Sequence, residues 1–396
     1  MEKQLDIIAR TIEEHCQKEN GNYSLLTGNM GEILFLYYYS LRNKNYKEKA
    51  EILLDQLTES LSTSSYYQFS YCNGLAGFGI GMHLLAEGGF IEDSPDMLDD
   101  IDIVLNHYLE QEIQLKHFDF LHGVIGMGFY FLKHYKYKPS ASLLQLQKIV
   151  KYLEQTAIST PQEDTLKWEI VNWHLPHQAH TKYNISLSHG MSSIAIFLSR
   201  LLQLDINPEG KVRKLLEGTL HYILRQRIDE KIYDCYFPST SLENPGPVNK
   251  SRLAWCYGDL GIGIALWHAG KALGRKELID YAIEIFEFSA TRKDLKSNYV
   301  WDAGLCHGSA GITQVFFRMW QETRLPSLQS AYEYWKNQTF LFANRPEGPA
   351  GYQSYDPTQQ SWETKYYILE GVAGIGLTLL SPLHSAWDEI LLLHFN

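Results

Sequence analysis

The chain has 396 residues, with 35 Lys plus Arg against 46 Asp plus Glu, a formal charge of −11 and 45% hydrophobic residues. That is the composition of a folded globule, and an acidic chain without a Lys/Arg-rich run is not built to grip a phosphate backbone, so no nucleic-acid partner is expected. No apolar stretch reaches the ~18–20 residues that span a bilayer, and the first ten residues lack a signal peptide's basic-then-apolar layout, which predicts a cytoplasmic protein without a membrane span. The five cysteines, Cys16, Cys72, Cys235, Cys256 and Cys306, are odd in number and scattered. They suit a reducing compartment, where cysteines act as metal ligands, reactive groups or core filler.

In chain order, a glycine followed three residues later by a second small residue and an apolar run begins at Gly28 (GNMGEILFLYY), Gly74, Gly123, Gly190, Gly258, Gly308 and Gly371. The second small residue is Gly in six copies and Ser193 in the fourth. Each run is apolar nearly all round, which predicts a buried helix. Between them, residues 46–62, 97–112, 143–156, 212–227 and 276–290 place apolar residues at three- and four-residue spacing among charges, the pattern of amphipathic helices. Successive first glycines lie 46 to 68 residues apart, room for two ~12-residue helices and their loops. Alternating buried and half-exposed helices predict an all-α fold, an α/α toroid of seven inner and seven outer helices, over residues 1–396 as a single domain. Small residues at both motif positions are expected to let inner helices approach closely. Insertions fall near 159–188, where WEIVNWHLPH suggests a short strand pair, and near 228–251 and 344–364, which read as exposed loops.

The residues just before the first glycines are Thr27, Asn73, His122, His189, Tyr257, His307 and Glu370, all polar. One position earlier stand Leu26, Cys72, Leu121, Ser188, Cys256, Cys306 and Leu369. Repeat equivalence puts both columns at one end of the ring. Repeats five and six are neighbours, so Cys256, Cys306 and His307 should converge, and two thiolates with one imidazole favour Zn²⁺ with one position open. Cys72, three steps round the ring, is expected to lie outside this set. Buried apolar cysteines are the plainer alternative. His189 is a candidate acid–base group or a helix-start histidine bonded to a loop carbonyl; for His122 the latter reading is preferred. Asp119 is a capping or a catalytic carboxylate, and Arg252 stabilises a developing negative charge or pairs with a surface carboxylate.

The blocks SRLAWCYGDLGIG and CHGSAGI, with SHG before them and seven glycine-led helices, resemble the lanthionine synthetase C (LanC) cyclases from Leu25 to the end. The chain's size resembles the stand-alone cyclases of class I lanthipeptide pathways. The resemblance implies a zinc enzyme that adds a peptide cysteine thiol to a dehydroalanine or dehydrobutyrine of the same peptide, giving a lanthionine or methyllanthionine ring. It implies Cys256, Cys306 and His307 as zinc ligands, with His189, Asp119, Arg252 and Tyr257 as catalytic residues. It also implies a dehydrated lanthipeptide precursor as substrate, a separate dehydratase and an exporter as partners, and peripheral association with a membrane complex. Two departures stand out: GMSS in the fourth repeat, which bears on packing, and His122, which bears on the pKa of Asp119. Rival readings are addition of glutathione or another small thiol by the same centre, a zinc scaffold that binds modified peptide, and a glycoside-processing barrel, which needs two carboxylates at the mouth.

Overall fold

The computed structural model describes residues 2–94, 96–160, 163–170 and 182–394. In chain order the helices are α1 (Glu2–Lys18), α2 (Asn29–Ser40), α3 (Asn45–Ser62), α4 (Leu75–Glu87), α5 (Asp99–Gln114), α6 (Val124–His134) and α7 (Pro139–Thr156). A hairpin of β1 (Ile158–Thr160) and β2 (Thr165–Lys167) precedes α8 (Met191–Gln203), α9 (Lys211–Leu224) and the short α10 (Glu230–Tyr233). Then come α11 (Asp259–Leu273), α12 (Lys276–Thr291), α13 (Ser309–Thr323), α14 (Pro326–Leu341), a hairpin of β3 (Ser354–Asp356) and β4 (Ser361–Glu363), and α15 (Val372–Leu380). The chain divides into two compact units, residues 1–101 with 295–394 and residues 102–294.

Each unit shows the same division of labour. In the first, every residue of α2 is buried, whereas α3 buries only Tyr46, Ala50, Leu53, Leu54 and Leu57, one stripe of an amphipathic helix. In the second, α11 is buried from Asp259 to Gly270, and α12 buries Leu278, Ala282, Ile285, Phe286, Ser289 and Ala290. The seven glycine-led helices are α2, α4, α6, α8, α11, α13 and α15, and the five expected amphipathic helices are α3, α5, α7, α9 and α12. Two more of that class, α1 and α14, were not singled out; each buries one stripe, Leu5, Ile8, Ala9, Ile12 and Cys16 in α1. The 344–364 insertion is a hairpin rather than a loop, with Tyr355 against Trp362 at 5.0 Å between ring centroids. The strand pair near 159–188 lies upstream of its expected place, and residues 171–181, most of WEIVNWHLPH, are outside the described residues.

How the buried helices begin explains the motif. A helix start leaves N–H groups without intrahelical partners, and none of the seven has a side-chain cap. In six copies the first helical N–H instead donates to the carbonyl seven residues back: Asn29 to Asn22 (2.7 Å), Leu75 to Gln68 (2.9 Å), Val124 to His117 (2.9 Å), Met191 to Asn184 (2.9 Å), Ser309 to Asp302 (3.0 Å) and Val372 to Lys365 (3.3 Å). The lead-in turn therefore doubles back over the helix start. A methyl group on Gly28 would lie 2.5 Å from the Asn22 carbonyl oxygen. At Gly261 it would meet the Trp255 carbonyl oxygen at 2.8 Å and Leu187 of the preceding repeat at 2.9 Å. The expectation of close helix approach is thus corrected in part: the nearest obstacle is the motif's own turn, with the neighbouring repeat second. Ser193 fits its position by bonding back, Oγ to the Gly190 carbonyl at 2.8 Å.

The fifth copy differs. Gly258 has φ +81°, and a Cβ there would sit 2.6 Å from Ser251 Oγ and 2.8 Å from the Arg252 carbonyl oxygen. Gly258→Ala is therefore expected to destabilise the fold by about 1–3 kcal/mol or more, from backbone strain plus collision. Gly274→Ala, at φ +67° with nothing within 4 Å, carries the strain alone. Denaturant unfolding of the two variants should rank Gly258→Ala as the more damaging.

Candidate active site

Backbone ties link the lead-in turns of successive repeats within each unit. The N–H groups of Leu187 and Ser188 donate to the Cys256 carbonyl at 3.1 and 3.2 Å, fixing His189, the next residue, beside that turn. In the other unit, Leu305 and Cys306 donate to the Leu369 carbonyl (3.0 and 2.7 Å), Leu369 to that of Leu26 (2.9 Å), and Leu26 to that of Cys72 (3.2 Å). Within each unit the two columns therefore have a backbone frame. Polar side chains of the column also bond: Thr27 Oγ1 donates to Asn73 Oδ1 at 2.7 Å, and Glu370 Oε2 accepts from Tyr367 of its own turn at 3.3 Å.

The turn that carries Cys256 is held by a pair the sequence reading passed over. The side chains of Asp259 and Arg292 are 0% exposed, with Nη1 3.0 Å from Oδ2. Asp259 also accepts the N–H groups of Tyr236 (3.1 Å) and Phe237 (3.0 Å), and Arg292 Nη2 donates to the Ser251 carbonyl at 2.7 Å. Burial pushes the Asp259 pKa up, against the opposing pull of Arg292. The pair clamps both ends of the 235–251 segment to the start of α11, and so sets the turn from which Cys256 projects. An aspartate opening an otherwise apolar helix, in WCYGD, was the available signal.

His189 and Asp119 form a hydrogen-bonded pair. His189 Nδ1 donates to Asp119 Oδ2 at 2.7 Å, while Asp119 Oδ1 accepts the His122 N–H at 2.8 Å. Asp119 thus caps its own turn, one of the two readings for it, and also pairs with His189, which is bonded to a carboxylate rather than a loop carbonyl. Burial works to raise the Asp119 pKa, but the charge and hydrogen bond of His189, with smaller help from His122, hold it well below the usual carboxylate range. Burial works to lower that of His189, and Asp119, with Cys256 adding, raises it above the ordinary histidine value. The His122 ring lies parallel to His189 at 5.9 Å, and Tyr257 is 6.2 Å from it. Burial pushes the Tyr257 hydroxyl up to about 12, and Asn184 Nδ2 donates to its oxygen at 3.3 Å. Arg252 is half-buried and has no carboxylate partner among the described residues.

Cys256 stands just ahead of Tyr257 and Gly258 in the lead-in turn of α11, and Cys306 and His307 close the lead-in turn of α13. Cys256 is buried and the other two are half-buried. None of the five cysteines is in a disulfide. Two thiols and an imidazole are donors suited to a soft divalent metal, and among the described residues no helix is long and apolar enough to cross a membrane.

A family model described as lanthionine synthetase C-like protein matches residues 19–392. Nisin biosynthesis protein NisC of Lactococcus lactis subsp. lactis is 22% identical over 326 residues, 75% of this chain and 74% of that protein. Glutathione S-transferase LANCL1 of Danio rerio is 24% identical over 153 residues, 38% of this chain and 34% of that one. The solved structure of nisin cyclase matches with a TM-score of 0.77 at 18% identity, covering 99% of this chain and 97% of that chain. The likeness shows the fold, an α/α toroid of inner and outer helices, as the repeats predicted.

Asp119→Asn removes the charge that raises the His189 pKa and leaves the burial that lowers it. In an NMR titration, the His189 pKa should fall in this variant, since burial then acts unopposed by that charge. An unchanged value means that the carboxylate does not set the histidine's protonation.

Proposed function

The chain belongs to the lanthionine synthetase C-like family, and on that premise we propose that it closes thioether rings in a dehydrated peptide. The thiol of a peptide cysteine adds to the β-carbon of a dehydroalanine or dehydrobutyrine in the same peptide. One C–S bond forms, the alkene π pair moves to the α-carbon, the thiol loses its proton and the α-carbon gains one. The peptide's mass is unchanged.

The observation that carries this reading is the His189–Asp119 pair, tied to the turn that bears Cys256; Cys256, Cys306 and His307 are the metal ligands we assign beside it. Two thiolates and one imidazole are a donor set that would suit zinc. Held by these three residues, zinc would lower the pKa of a substrate thiol, so that the nucleophile would be a thiolate at neutral pH. Every other contribution comes from the chain's own side chains. His189, held by Asp119 at 2.7 Å, is fixed in orientation and charge; it takes the thiol proton or returns one to the α-carbon. Asp119 is a positioning residue, since it reaches the reaction through His189. Arg252, with no described carboxylate to neutralise it, stabilises the enolate charge that develops on the amide oxygen. Tyr257 keeps its proton at neutral pH and serves as a donor beside His189.

A second reading, addition of glutathione to a dehydroamino acid by the same residues, is favoured by the LANCL1 relative, a glutathione S-transferase by name, whose match covers 38% of this chain. Ring closure is preferred because the NisC match covers 75% of it.

The test is incubation with a dehydrated, cysteine-bearing peptide, alone and with glutathione, followed by thiol counting and mass measurement. Thiols consumed at constant mass are the expected result. A gain of one glutathione mass establishes the second reading, and intact thiols overturn both. Cys256→Ala should lose one zinc per chain and the activity with it. His189→Ala should keep its zinc while turnover falls by about 10²–10⁴-fold.

A further inference from the structure

Glu32 stands out from its register. The residue after the second small residue of the motif is Phe78, Met127, Ile194, Ile262, Ile312 or Ile375 in the other six copies and glutamate only here. Glu32 is 2% exposed, on a helix buried throughout, where an unsupported carboxylate is costly. Its Oε2 takes the nearby donors: His15 Nδ1 at 2.8 Å, Cys16 Sγ at 3.0 Å and Asn29 Nδ2 at 3.2 Å. His15 and Cys16 are neighbours near the end of α1, diverging by about 100° round the helix, and Glu32 reaches in from α2 to face both.

The arrangement is braced from outside. The His15 ring is stacked on Tyr366 at 3.8 Å and 9°. Asn29 donates to the Glu19 carbonyl at 2.9 Å and accepts the Gly21 and Asn22 N–H groups at 3.2 and 3.0 Å. Such second contacts orient ligands before a metal arrives. The ligand atoms of His15, Cys16 and Glu32 all lie within 4.8 Å of one another, a spread that one ion ~2.0–2.3 Å from each can bridge. The group borders a pocket of about 770 Å³ lined by His15, Glu32, Glu19 and Tyr366 among others, which supplies an entry path and room for a further ligand.

We propose that His15, Cys16 and Glu32 form a second zinc site, separate from Cys256, Cys306 and His307. One thiolate, one imidazole and one carboxylate suit Zn²⁺ among the common divalent ions. On binding, the Cys16 proton and any proton on His15 leave to solvent. The thiolate and the carboxylate then cancel the ion's two charges, so the buried cluster ends neutral. The site ties α1 to the first inner helix and is independent of the chemistry proposed above.

The test is zinc content by elemental analysis of protein prepared with zinc, with circular dichroism to confirm folding. Two zinc ions per chain are expected in the wild type, one in His15→Ala, Cys16→Ser and Glu32→Gln, and one in Cys256→Ala/Cys306→Ala. His15 is the least buried of the three and gives the reading if the other two variants fail to fold. The same zinc count in wild type and His15→Ala, with none in the double cysteine variant, overturns the second site and leaves the first. Loss from His15→Ala with no loss from the double variant overturns the first and leaves the second.

Discussion

The structure depends on satisfying the N-terminal turn of a helix that water cannot reach. Each inner helix is buried around its whole circumference, so its leading N–H groups need partners from protein. The chain meets this by folding the preceding turn back until a carbonyl seven residues earlier accepts the first N–H, in six of the seven copies. That geometry leaves no room for a side chain at the first glycine, and little at the second. It also places the residue just before the first glycine at the positive end of the helix, where polar and anionic groups are favoured. The motif is thus the footprint of a capping problem, and the polar column before it is a by-product available for chemistry.

Where those columns carry reactive groups, a buried polar side chain braces the turn. Asn184 Oδ1 accepts the Ser186 N–H at 2.8 Å ahead of His189. Asp302 accepts the N–H groups of Gly304 and Tyr355, both at 2.8 Å, ahead of Cys306. The Asp259–Arg292 pair does the same for Cys256. Removing Arg292 alone would leave a buried carboxylate uncompensated, a loss of about 3–5 kcal/mol. A fully buried ion pair is weak evidence of stability in itself; here its effect is to fix a turn. The hydrogen bond from His189 to Asp119 extends the same logic to protonation, since it holds the histidine's pKa up against burial.

Much of this was legible in the sequence because it repeats. Seven glycine-led runs gave the inner helices, and five of the amphipathic partners followed from periodicity. The helices α1 and α14 went unremarked although their apolar stripes are of the same kind, because no glycine motif announces them. The hairpin at 354–363 was hidden in a Pro/Gln/Ser-rich stretch whose alternation spans only three residues a strand. Asp119 and His189 were singled out separately, but their pairing, 70 residues apart, has no local signature. In the Asp259–Arg292 clamp only Asp259 carries a local mark, a charge opening an apolar helix; its partner 33 residues on has none. Glu32 was visible as a charge in an apolar register, yet its partners came from a helix that had not been read.

Zinc-edge X-ray absorption of the Cys16→Ser variant, purified with its remaining zinc, tests the central claim most directly, because it reads the donor atoms themselves. The account predicts a first shell with two sulfurs and one histidine nitrogen from the chain, from Cys256, Cys306 and His307. A shell with fewer than two sulfurs, or one unaltered by Cys306→Ala, would contradict it.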